Sequence, residues 1–266
     1  MPESIAGSSL GRQMLNKVPE VTFYFWLIKI MCTTVGETAA DYLNIDLGFG
    51  LSNTTYVTGA LLVLLLAVQF RARRYIPYLY WSVVVVISVF GTLITDNMTD
   101  RYNVPLTTST PIFAVLLAFV FAIWWRIEHT LSIHTIFTRR REGFYWLAIL
   151  FTFALGTAAG DLVAEQLSLG YGISIAIFGA IIALITLAHF AFGVNAVLTF
   201  WLAYIMTRPL GASIGDFMSQ NSREYGGLGL GTTGTSSIFL AGILALVAWL
   251  SITRRDATEV REAASA

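Results

Sequence analysis

Apolar residues run through this chain in long blocks, separated by short polar stretches that recur along its whole length. A helix that crosses a bilayer needs about 20 mostly apolar residues. Eight blocks approach that length, at about 20–43, 54–70, 77–98, 110–127, 143–165, 171–191, 194–219 and 236–253. The connections between them are short and leave no room for a sizeable soluble domain. The pattern predicts an all-α integral membrane protein with eight transmembrane helices. A polar tail over 1–19 precedes a single transmembrane domain over 20–253, and a second tail covers 254–266.

The basic residues give the expected orientation. Arg12 and Lys17 precede the first block, and Arg71, Arg73 and Arg74 lie between the second and third. Arg126, Arg139, Arg140 and Arg141 separate the fourth from the fifth, and Arg254, Arg255 and Arg261 follow the eighth. The opposite connections hold Arg101 and Arg223. An excess of Lys and Arg marks the cytoplasmic side, so both termini are expected there. Residues 1–19 lack an apolar core, so no cleavable signal peptide is expected.

A repeat underlies the blocks. Trp26, Trp81, Trp146 and Trp201 each follow an aromatic residue, namely Phe25, Tyr80, Tyr145 and Phe200. Ten residues after each tryptophan stands a glycine (Gly36, Gly91, Gly156, Gly211), and five residues later an aspartate (Asp41, Asp96, Asp161, Asp216). The segments read GETAAD, GTLITD, GTAAGD and GASIGD, at intervals of 55, 65 and 55 residues. LGFGLS at 47–52 also answers LGYGIS at 169–174, and TTSTPIF at 107–113 answers TTGTSSIF at 232–239. Self-similarity of this kind is the signature of tandem units. Four two-helix repeats follow, at about 20–74, 75–139, 140–194 and 195–253. Two spans per unit give every unit the same orientation, so the repeats are parallel and related by an axis along the membrane normal. Fifteen residues of helix, about 22 Å, then separate each tryptophan at the inner interface from its aspartate in the outer half.

With its FYW and GTAAGD segments, the pattern resembles a family of bacterial membrane proteins built from a "repeat of unknown function", over about residues 20–253. The resemblance implies the four-unit architecture and a bacterial inner-membrane address. It implies no activity.

Composition agrees with the blocks. Hydrophobic residues make up 56% of the 266, charged residues only 12%, and the mean hydropathy is +0.71. A soluble domain carries about 25% charged residues. Soluble enzymes and nucleic-acid binders are thereby excluded. Sixteen basic against sixteen acidic side chains give no net charge to attract a charged partner. The single cysteine, Cys32, can form neither an internal disulfide nor a cysteine metal site.

The chemistry sits on the first helix of each unit. The pairs Gly36/Ala40, Gly91/Thr95, Gly156/Gly160 and Gly211/Gly215 have the small-xxx-small spacing that lets helices approach closely in lipid. On the adjoining face, stepping back by four from each aspartate, the series reads Glu37, Thr33 and Lys29; Thr92 and Ser88; Thr157 and Phe153; Ala212 and Arg208. Asp100, Glu165 and Gln220 lie one turn beyond their aspartates. Acids at Glu37, Asp41, Asp96, Asp100, Asp161, Glu165 and Asp216, with bases at Lys29 and Arg208, make a stripe too polar for lipid. Such groups mark pathways through membrane proteins, rings of carboxylates attract cations, and oxygen clusters suit hard metal ions. The competing reading has the aspartates bonding backbone amides at helix ends, with Asp100 and Glu165 merely solvated. Lys29 replaces Val84, Ile149 and Tyr204, and either snorkels to the inner surface or serves as counter-ion or gate. Arg208 stands where the other units have Thr33, Ser88 and Phe153, and Pro209 after it kinks the helix. His129, His134 and Glu128 in the longest connection have spacing that suits no single metal-binding face.

No nucleotide motif, catalytic constellation or cofactor motif accompanies these residues, and no specific metal is indicated. The expected function is a secondary transporter or exporter of a small cation, a divalent metal ion first among them. A passive cation or proton channel, an organic-cation transporter and a non-transport membrane partner are the alternatives.

Overall fold

The computed structural model describes residues 16–221 and 226–256, so Arg12, Arg223 and Arg261 lie outside the described residues. Eight long helices occur among the described residues, one for each expected block. They are α1 (Phe23–Asp41), α2 (Gly50–Arg71), α3 (Pro77–Asp96), α4 (Leu106–Glu128), α5 (Arg139–Asp161), α6 (Tyr171–Phe192), α7 (Ala196–Ser219) and α8 (Gly231–Thr253). Local chemistry sets several boundaries. Thr22 and Thr138 cap α1 and α5 by accepting the amides of Phe25 and Arg141, Asn195 caps α7, and Pro77 opens α3. A proline at the first helical position has no amide to leave unpaired. At the other ends, Gly193 closes α6 and His129 closes α4, both in the left-handed conformation.

Seven of the eight helices are long and apolar enough to cross a membrane; α1 is the exception. Lys29, Glu37 and its threonines dilute the apolar character of α1, and its position shows why that is tolerated. It packs on α3, α7 and α8 and is shielded by protein on these sides.

The four odd helices close into a ring: α1 packs on α3, α3 on α5, α5 on α7, and α7 on α1. Each even helix lies outside the ring against the odd helix of the next unit. Thus α2 packs on α3, α4 on α5, α6 on α7, and α8 returns to α1. A single unit cannot bury its own surface, which is the usual logic of tandem repeats. Burial follows this division. The most apolar stretch of α3 is 67% buried, whereas that of α6 is 6% buried. The outer helices expose Leu64, Phe119, Leu184 and Leu244, an apolar girdle suited to lipid contact.

Beyond the conserved spacing, three units share a backbone feature. After Asp41, Asp96 and Asp161 the helix widens into a π turn, over Tyr42–Asp46, Asn97–Arg101 and Leu162–Gln166. The fourth unit lacks it: α7 stops at Ser219, and Gln220 is extended. π turns inside α-helices are frequent at functional sites.

Candidate functional site inside the helix ring

The repeat places equivalent residues of the four odd helices in layers, four residues apart. The glycines make this possible. A Cβ built on Gly36 would strike Ser88, one on Gly91 would strike Phe153, one on Gly156 would strike Arg208, and one on Gly211 would strike Thr33. Each glycine therefore receives the side chain three residues before the corresponding glycine of the next helix, and the pattern closes on itself. Gly215 is less tight, with Thr34 O at 3.2 Å, and Gly160 keeps ordinary contact with Pro209 Cα at 3.6 Å.

At the tryptophan end the same pinwheel is aromatic. Phe25 packs on Trp81 (ring centroids 5.7 Å apart), Tyr80 on Trp146 (5.5 Å), Tyr145 on Trp201 (6.2 Å) and Phe200 on Trp26 (5.6 Å). Tyr80 and Tyr145 share a hydrogen bond of 2.5 Å between their hydroxyls. This corrects the reading of the tryptophans as lipid-interface anchors: Trp81, Trp146 and Trp201 are buried and Trp26 half-buried. Their indoles face neighbouring helices because the aromatic before each one fills the ring interior. Below this layer, residues 16–22 fold against the bundle. Lys17 pairs with Glu142 at 2.7 Å, both side chains being 1% exposed, and Gln69 donates to the other Glu142 oxygen.

Lys29, in the next layer, does not snorkel. Its side chain is fully buried, with Nζ 4.4 Å from the Phe153 ring centroid, 4.3 Å from that of Tyr204, and 3.4 Å from Thr207 Oγ1. No carboxylate lies within ion-pair distance among the described residues. The side chain points into the ring, where the aromatic faces of α5 and α7 stand in for a counter-ion.

Arg208 fills the ring one layer further, fully buried. It reaches all three other odd helices. Nη1 donates to Thr33 O at 2.6 Å, Nε to Phe153 O at 3.4 Å, and Nη2 to Thr157 Oγ1 at 2.6 Å, to Thr92 and to Glu37 Oε2 at 3.0 Å. Glu37, Thr92 and Thr157 are equivalent positions of three units, one residue after each glycine. The planar guanidinium suits this many fixed acceptors in a way a lysine ammonium does not. Thr92 and Thr157, which the sequence offers only as members of a polar stripe, are thus the hydroxyls that hold Arg208.

The carboxylates gather at the end of the ring beyond Arg208. One oxygen each from Glu37, Asp161 and Asp216 lies within 4.8 Å of the others. Glu37 is within electrostatic reach of all four repeat aspartates. Asp216 is 6% exposed, and Asp41, Asp96 and Asp161 are half-buried. Gln220 donates to Asp41 at 3.4 Å. The alternative of amide capping does not describe these groups: Asp41, Asp96 and Asp161 make no side-chain cap bond at the π turns they precede. Asp100 is exposed on the rim, within electrostatic reach of Asp41 and Asp96. Glu165 is half-buried and accepts the Tyr171 hydroxyl at 2.9 Å. His134 meets Glu20 at the opposite end, and Glu128 pairs with Arg140 and Arg141. His134 and Glu128 take no part in the carboxylate cluster, whereas Glu165 lies within electrostatic reach of Asp41, Asp161 and Asp216.

No curated protein and no solved structure matches the chain. A family model described as Repeat of Unknown Function (DUF347) matches four times in tandem, at residues 24–75, 79–130, 144–194 and 199–256. Each match takes in one odd helix of the ring and the even helix that follows it. The chain therefore belongs to the family of the Repeat of Unknown Function (DUF347), with its four copies arranged around one polar axis.

Proposed function

We propose that the protein is a secondary transporter of a small cation, moving it along the axis of the helix ring. One observation carries this reading: five acids from four different helices converge at one end of a ring whose outer surface is apolar. Ionisable groups at such depth are expensive unless they serve a pathway or an aqueous cavity. The layers beneath favour a carrier over an open channel. Arg208, Lys29 and the Tyr80–Tyr145 pair occupy the ring interior in succession, so a cation cannot pass without rearrangement. Pro209 inside α7 removes one rung of that helix's hydrogen-bond ladder, making α7 the natural element to bend.

On this reading the chain lies in a bacterial inner membrane with both termini in the cytoplasm, as the distribution of Lys and Arg supports. The carboxylates then open to the outside, and residues 16–22 lie at the cytoplasmic mouth. A divalent metal ion is the preferred cargo, since oxygen ligands suit hard cations.

The test is total metal content of cells expressing wild-type protein or the Asp161→Asn variant at equal abundance, followed by flux into proteoliposomes. A selective fall or rise in one metal with wild type, lost in the variant, is expected. Unchanged flux when Asp41, Asp96, Asp161 and Asp216 are each replaced by Asn would refute it.

A further inference from the structure

We infer that Glu37, Asp161 and Asp216 form a single binding site for one hard divalent cation, with Arg208 as the residue that positions Glu37. The inference rests on the transport reading for its purpose, but its geometry stands alone.

Three observations carry it. The first is span. Hard divalent ions bind oxygen at roughly 2.0–2.6 Å, so ligands around one ion lie at most about 5 Å apart. The three carboxylate oxygens, within 4.8 Å of one another, satisfy that limit without movement of the backbone.

The second is Asp216. It is 6% exposed, yet no hydrogen-bond donor or cation among the described residues contacts its carboxylate. Buried polar groups are nearly always partnered. Glu37 differs, because Arg208 and Thr92 both donate to its Oε2 and leave Oε1 without a partner. Of the three acids, Glu37 alone has such donors among the described residues. Asp216 instead faces two other carboxylates, an arrangement that a cation relieves.

The third is charge. Three carboxylates share one guanidinium, a shortage of positive charge that a divalent ion offsets more fully than a monovalent one. Asp41 and Asp96, half-buried like Asp161, and Glu165 lie within electrostatic reach of these groups and add to the deficit. The place of Asp41 and Asp96 is on the approach to the site. Arg208 itself is no ligand, since a guanidinium has no acceptor. Its part is to hold Glu37 at the centre of the ring while its own charge keeps the empty site from collapsing outward by repulsion.

The experiment is calorimetric titration of the full chain in nanodiscs of zwitterionic lipid with Mn²⁺ and Ca²⁺, repeated in excess K⁺. One ion per chain is expected, with little competition by K⁺. Asp216→Asn and Asp161→Asn should each weaken binding at least tenfold. Asp216→Glu should fall between them and wild type, and Asp46→Asn, at an exposed acid of the same end, should stay within twofold. Asp216→Asn replaces an unpartnered buried acid, set among other carboxylates, with a neutral amide of the same shape, so its melting temperature without metal should equal or exceed that of wild type. Full affinity in Asp216→Asn, or equal competition by K⁺, overturns the site. Absent binding alongside flux that remains sensitive to Asp161→Asn overturns the site and leaves transport standing. Binding as described without any flux does the reverse.

Discussion

Gly91 and Gly160 offer a direct measure of what the close helix contacts contribute. Both lie inside odd helices and both would gain the same helix propensity, up to about 1 kcal/mol, on replacement by alanine. Their surroundings differ. A Cβ on Gly91 would sit 2.6 Å from Phe153 Cβ and 3.3 Å from the Ala154 amide nitrogen, neither of which is the free end of a side chain. Carbon atoms pack best at about 3.5–4.0 Å, so α3 and α5 must part by roughly 1 Å locally. A gap of that size forfeits about a quarter to a half of the dispersion energy of the neighbouring contacts. Overpacking of this kind costs about 1–3 kcal/mol. On Gly160 the same methyl meets Pro209 Cα at 3.6 Å, an ordinary contact. The difference between the two variants therefore cancels propensity and isolates the packing, at about 1–3 kcal/mol. Unfolding by SDS in mixed micelles gives the two midpoints. Gly160→Ala should match or exceed wild type and Gly91→Ala should fall below it. The cyclic pinwheel is refuted as the basis of assembly if Gly91→Ala is the more stable of the two.

Two further substitutions probe the buried charges. Lys17→Met strands Glu142 in a site 1% exposed, a loss of about 3–5 kcal/mol, while the double variant with Glu142→Leu should recover most of it; a double variant as unstable as the single would show that the pair does not act as a pair. Lys29→Met removes a buried charge whose compensation among the described residues is one hydroxyl and two aromatic faces, so stability should rise by about 1–3 kcal/mol while cation flux is lost; a variant that is more stable and still transports would make Lys29 irrelevant to the pathway.

How far the chain discloses its own structure depends on which residues repeat. The blocks, the four units and the small faces are written in periodicity, because a lipid-facing helix and a closely packed one each demand a residue type at fixed spacing. Even the layers inside the ring follow from the steps of four between Phe25, Lys29, Thr33, Glu37 and Asp41. Which faces meet does not follow. Nothing in the sequence says that α2 leaves α1 and packs on α3, since lipid and protein surfaces are equally apolar. For the same reason the tryptophans read as interface anchors although Trp81, Trp146 and Trp201 are buried between helices. Lys29 had two outcomes open from its position, and only the rings of Phe153 and Tyr204 decide between them. The π turns after Asp41, Asp96 and Asp161 have no residue signature at all.

A symmetric ring of four identical units would present the same side chain four times at each level, and like charges so placed repel. The chain departs from symmetry where that repulsion would be greatest. At the glycine-plus-one level only Glu37 is charged, with Thr92, Thr157 and Ala212 as its equivalents; one level below, Arg208 alone is charged among Thr33, Ser88 and Phe153. The one acid and the one guanidinium meet at 3.0 Å, and the two threonines complete the guanidinium's bonding. The repeat supplies the ring, and two positions in different units, Glu37 and Arg208, supply a single ion pair within it. Among the charged levels, the aspartates alone keep a four-fold character, one layer above that pair. Four acids retained at the same level, beside a pair that neutralises only one further acid, leave negative charge that a mobile cation is suited to balance. That is why the proposed binding site is placed above Arg208 rather than beneath it, where Lys29 makes the interior positive.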